Sequence, residues 1–136
     1  MIKEILILLF KAGLKCDHRQ LRKIYDYTLA MIRDSRAVMF YKDKKLIGIA
    51  YFSVCNSIDS YQDKPLWQYI PHNPAGEIVF IEKVVALKWN KHLRDLLEAE
   101  IAENYKNAKI AVAYRPSPAE DRQRIYKPYY RGIRHV

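Results

Sequence analysis

The chain has 136 residues, half of them apolar, and carries 24 Lys and Arg against 15 Asp and Glu for a formal charge of +9. That length suits one compact domain, and unremarkable Gly and Pro contents exclude collagen-like and low-complexity sequence. Cys16 and Cys55 stand apart with no CxxC and no metal-type spacing, which excludes a disulfide framework and fits reduced thiols in a cytoplasmic protein.

From the N-terminus, residues 2–14 place Ile2, Ile5, Leu6 and Leu9 on one face, predicting an amphipathic helix that stops near Gly13. A buried strand is the competing reading, and the apolar run is too short to span a bilayer. Residues Leu14 to Arg19 then form a connection holding Cys16, Asp17 and His18, with Asp17 placed to cap a second helix over Arg19 to Asp34. In that helix Leu21, Ile24, Thr28, Met31 and Ile32 share a face.

From Ala37 the period becomes that of strands: AVMFY, then a charged turn from Lys42 to Lys45, then LIGIAYFSV, an antiparallel hairpin. The turn lacks Asn-Gly, so a longer loop type is expected. After Cys55 the chain is polar, and Pro65, Pro71 and Pro74 argue against regular structure. Trp67, Tyr69 and Ile70 are expected to pin this long loop to the body. Gly76 to Tyr105 reads as a strand (Ile78 to Val85) running into a helix with Leu93, Leu96, Leu97, Ile101 and Tyr105 on one face. Ala108 to Tyr114 is a further strand, nearly all apolar and so expected to be buried on both faces. A helix between two adjacent strands predicts a parallel crossover, hence a mixed sheet. Ala119 to Tyr126 suits a short helix, and the aromatic, basic C-terminus suits extended chain.

No metal cluster, nucleophile elbow, Walker loop or dinucleotide glycine pattern is present in the sequence. What remains is Glu82, a carboxylate inside an apolar strand, with His18, His92 and the tail. Alternation puts Glu82 opposite Ile81, where solvent is one reading and a site the other. His18 suits a surface position as well as a catalytic one. In the tail, Arg122, Arg124, Lys127, Arg131 and Arg134 interleave with tyrosines. That pattern suits an anionic partner such as single-stranded nucleic acid, and equally a terminal strand with rings inward and cations outward.

The order of elements, with FIEKVVALKWN as strand and helix entry, resembles the GNAT (Gcn5-related N-acetyltransferase) fold: an α/β domain with a mixed central sheet, an antiparallel hairpin plus a parallel crossover, and flanking helices. The family's glycine-containing turn is absent from ALKWNKHL. Within that fold the layout is similar to the toxin-activating lysine acyltransferases, which take a fatty acyl group from acyl carrier protein. The resemblance implies His18 and Glu82 as catalytic residues, within reach of each other or of a shared substrate. It also implies a donor site at the helix entry formed by Lys88, Asn90, Lys91 and His92. No tightly bound cofactor is expected; acyl carrier protein or acyl-coenzyme A would be co-substrate, an amine of a protein the acceptor, and the +9 charge would suit the acidic carrier. The alternative is a non-catalytic relative, structural as in a phage particle or binding nucleic acid.

Overall fold

The computed structural model describes residues 1–62, 64–116 and 126–135, and the side chains of 62, 114–116 and 126–130 are left out of the description. Its elements run α1 (Ile2–Lys11), α2 (His18–Arg33), β1 (Ala37–Lys42), β2 (Lys45–Cys55), α3 (Asp59–Gln62), β3 (Ile78–Ala86), α4 (Lys91–Asn104), β4 (Ile110–Pro116) and β5 (Tyr126–Gly132). The strands form one sheet in the order β1-β2-β3-β4-β5, antiparallel except for the β3–β4 pair. The crossover through α4 and the mixed sheet expected from the sequence are both present. Helices α1 and α2 cover one face through Ile5, Leu8, Leu9, Ile24, Tyr27 and Met31. Helix α4 covers the other with Leu93, Leu97 and Ile101 against Phe52, Val54 and Val79.

Local chemistry explains the element ends. Helix α1 stops ahead of Gly13, whose φ of 102° is open to glycine and hostile to other residues. Asp17 and Gln20 form a reciprocal capping box at the start of α2, with the Asp17 side chain accepting the Gln20 amide at 2.9 Å and the Gln20 side chain accepting the Asp17 amide at 3.1 Å. His18 is therefore the first helical residue, not a loop residue.

Four further expectations are corrected. The β1–β2 turn is the two-residue Asp43-Lys44, closed by the Lys42–Lys45 pair, with φ of 51° and 66°. Both residues adopt the left-handed conformation that matches strand twist without the usual Asn-Gly. The prolines of the long loop leave room for the one-turn α3 before Pro65. Leu96 is 46% exposed, because it lies off the stripe of Leu93, Leu97 and Ile101 that meets the sheet. In β4 Val112 is buried, while Ile110, Ala111 and Ala113 are only partly so. The short helix expected over Ala119 to Tyr126 lies outside the described residues up to 125, and Tyr126 itself belongs to β5.

Candidate active site

Strand β3 carries a bulge at its acid. Tyr51 pairs with Lys83 and Phe52 with Ile81, so Glu82 is the extra residue between them. The flanking Ile81 and Val84 both pack toward α4. Glu82 and Lys83 both turn to the opposite face, one meeting Tyr27 of α2 and the other the Trp67 ring. The parallel pairing of β3 with β4 covers Ile78 to Ile81 against Ile110 to Ala113 and goes no further. From Glu82 onward β3 has no ladder partner in β4 among the described residues.

Glu82 is not solvated. Its side chain is 3% exposed and takes four donors. Oε1 accepts from the Tyr27 hydroxyl at 3.0 Å and from Lys64 Nζ at 2.7 Å. Oε2 accepts from Arg36 Nη2 at 3.3 Å and from the Ser53 hydroxyl in a shorter contact. Arg36 is wholly buried: Nε donates to the Phe52 carbonyl at 3.2 Å, Nη1 to the Ile70 carbonyl at 2.9 Å, and Nη2 also to Ser53 Oγ. Its Nη1 lies 3.6 Å from Asp34 Oδ2, and its Cζ sits 5.0 Å from the Tyr69 ring centroid. One buried and one half-buried cation thus meet one buried carboxylate, with polar neighbours completing the hydrogen bonds, as charges in an interior require.

Burial, and then the Glu82 charge, hold the Tyr27 phenol far above its ordinary pKa, so it stays a neutral donor. Burial pushes Tyr51 up to about 12, and its hydroxyl shares a hydrogen bond of 3.0 Å with Thr28. The Tyr69 hydroxyl, ahead of Arg33 and Arg36, holds Asp34 below the usual carboxylate range.

His18 belongs to a different place. It begins α2, nine residues from Tyr27 or about 13.5 Å along the axis, and is exposed. Among the described residues it makes no hydrogen bond or ion pair, and the partners of Glu82 are Tyr27, Arg36, Ser53 and Lys64 instead. The structure does not join His18 to Glu82.

The residues expected to hold a donor do cluster. Lys88, Asn90, Lys91 and His92 are exposed between the end of β3 and the first turn of α4. Asn90 is the N-cap: its side chain takes the Leu93 amide at 3.0 Å and its carbonyl the Arg94 amide at 3.1 Å. No partner for the Lys91 and His92 amides is found among the described residues, and Lys88 and Lys91 place positive charge at this helix start. Of the tail cations, Arg122 and Arg124 lie outside the described residues, and Lys127 sits in β5 opposite Arg115 with its side chain undescribed. Arg131 is ion-paired with Glu98 of α4, and Arg134 is exposed.

Sequence reading missed Tyr27, Arg36, Ser53 and Lys64. Tyr27 sits three residues after Ile24 on the apolar face of α2, a signal that was available. Arg36 follows Ser35, whose φ is 59°, and looks like an ordinary turn residue.

One histidine is placed to titrate. His72 Nδ1 accepts the Val54 amide at 3.2 Å, so its proton sits on Nε2, beside an open cavity of about 530 Å³ lined also by Cys55, Tyr61 and Asn73. Burial, and then Arg36, lower its pKa. The folded state thus prefers the neutral ring, and this contribution to stability is complete above the unfolded value of about 6.5. It is lost as pH falls through the lowered folded value. Urea midpoints measured from pH 7.5 downward are expected to fall across that window, and a His72→Gln variant to lack that part of the slope.

Among the described residues no helix is long and apolar enough to cross a membrane, no three His, Cys, Asp or Glu side chains group to hold a metal, and both cysteines are free. Neither a protein-family model nor a curated protein sequence matches the chain. Solved structures do. The loading GNATL domain of CurA from Lyngbya majuscula is 17% identical with a TM-score of 0.59, covering 90% of this chain and 65% of that one. The GphF GNAT-like decarboxylase, solved with isobutyryl-CoA, is 12% identical with a TM-score of 0.60, covering 86% and 63%. A putative acetyltransferase from Staphylococcus aureus Mu50 is 14% identical with a TM-score of 0.55, covering 98% and 93%. Identities this low speak for the fold: it is GNAT-like. The chain spans less than two thirds of the length of the first two.

Proposed function

We propose that the protein is an acyltransferase that moves an acyl group from a thioester, of coenzyme A or acyl carrier protein, to an amine, with Glu82 as the base. The observation that carries this reading is the end of the β3–β4 ladder directly before the bulged Glu82, in the strand that runs on to the basic entry of α4. An extended thioester arm would suit the β4-side edge of β3 beyond Ile81, whose backbone groups have no partner in β4 among the described residues. Phosphate at the far end would meet the Lys91 and His92 amides with Lys88 and Lys91. The fold neighbour GphF, seen with isobutyryl-CoA, supports a thioester ligand. The net charge of +9 supports the acidic carrier protein as the alternative donor.

A second reading is favoured by the saturation of Glu82 with four donors, which leaves its oxygens committed. On that reading the protein binds a thioester without turning it over. Calorimetry with acetyl-coenzyme A and with octanoyl acyl carrier protein, followed by thiol release in the presence of tetralysine, separates the two. Binding with release supports transfer; binding without release supports the second reading. Lys88→Glu/Lys91→Glu is expected to weaken binding at least tenfold, and an absence of binding to either donor at millimolar concentration removes both readings.

A further inference from the structure

The half-buried Lys64 already stands in the relation to Glu82 that an acceptor amine would need. Its Nζ lies 2.7 Å from Oε1 and its side chain is 9% exposed, in the long loop rather than on the sheet. The ammonium also donates to the Gln68 carbonyl at 2.8 Å and sits 5.3 Å from the Tyr27 ring centroid. These contacts aim one nitrogen at one carboxylate, and that carboxylate belongs to the bulged residue just past the end of the β3–β4 ladder. Lys42, Lys44 and Lys45, by contrast, are exposed on the β1–β2 turn.

We propose that Lys64 is an acyl acceptor in its own chain, a modification site served by the same centre; this rests on the transferase reading. Glu82 takes one proton from the ammonium, and the freed lone pair on Nζ attacks the thioester carbonyl carbon. The carbon–sulfur bond breaks, and the departing thiolate takes a second proton from nitrogen. The products are an amide on Lys64 and a free thiol, and Glu82 returns its proton to solvent. Acylation removes the Lys64 charge, so its ion pair with Glu82 is lost and the long loop loses that anchor.

The test incubates the full chain with acetyl-coenzyme A and, in a parallel arm, octanoyl acyl carrier protein, and maps adducts over time by peptide mass spectrometry. Lys64 is expected to acquire the acyl group at least tenfold faster than Lys44, with a rate that saturates in donor. A half-buried, ion-paired amine reacting by chance would be slower than an exposed one. Lys64→Arg, which keeps a cation beside Glu82, is expected to remain folded by circular dichroism and to lose the fast adduct. Labelling of Lys64 no faster than that of Lys44 in both arms overturns the inference. Thiol release with tetralysine but without fast Lys64 labelling overturns it while leaving the transferase reading intact. Absence of both donor binding and thiol release overturns the two together.

Discussion

Arg36→Met is expected to lower the unfolding free energy by about 3–5 kcal/mol, read as a fall in the urea midpoint with an unchanged slope. Methionine matches much of the volume, so the loss is electrostatic in origin. With the guanidinium gone, the Phe52 and Ile70 carbonyls each lose a donor and Glu82 loses one of its two cations. An unpaired acceptor in a dry interior costs about 1–3 kcal/mol. The Asp34 carboxylate suffers less, because it is 24% exposed and retains Tyr69 and Arg33. A midpoint within error of the parent would show that the cluster is hydrated and that Arg36 is not its centre.

Glu82→Gln is expected to have the largest effect on transfer, about 10²–10⁴-fold in rate if the residue removes a proton from the acceptor. It is also expected to cost about 3–5 kcal/mol of stability. Arg36 keeps Asp34 and two carbonyls, but Lys64 retains only carbonyl partners and the Tyr27 ring, so most of the strain falls on the lysine. Adding Lys64→Met should therefore restore part of the stability of Glu82→Gln, with a coupling energy of about 1–3 kcal/mol in a double-mutant cycle. Transfer to an external amine should stay absent in the double variant. Restored stability with restored transfer would place the proton acceptor elsewhere.

The positions of these residues were unequally legible. Short-range patterns showed through: the strand over Ile78 to Val85, the stripe of Leu93, Leu97 and Ile101, and the Asp17 cap all depend on residues within a few positions of each other. The hairpin turn misled because Asp43 and Lys44 accept left-handed backbone that composition alone would assign to Asn-Gly. His18 could be located at a helix start but not paired, since pairing depends on how α2 lies across the sheet.

By itself the sequence determined that Glu82 interrupts an apolar strand, that a helix follows through a segment with no glycine, and that the sheet is mixed. Only the tertiary structure decided which groups the acid meets. Its partners come from α2, the turn before β1, the end of β2 and the long loop, separated from it in sequence by as many as 55 residues at Tyr27 and 46 at Arg36. A bulge, too, is a property of two strands in register, so Glu82 facing away from α4 together with Lys83 was decided by the pairing with β2. Local periodicity carries the face of a side chain only while the ladder stays regular, and it carries nothing about which distant charges will share the interior with it.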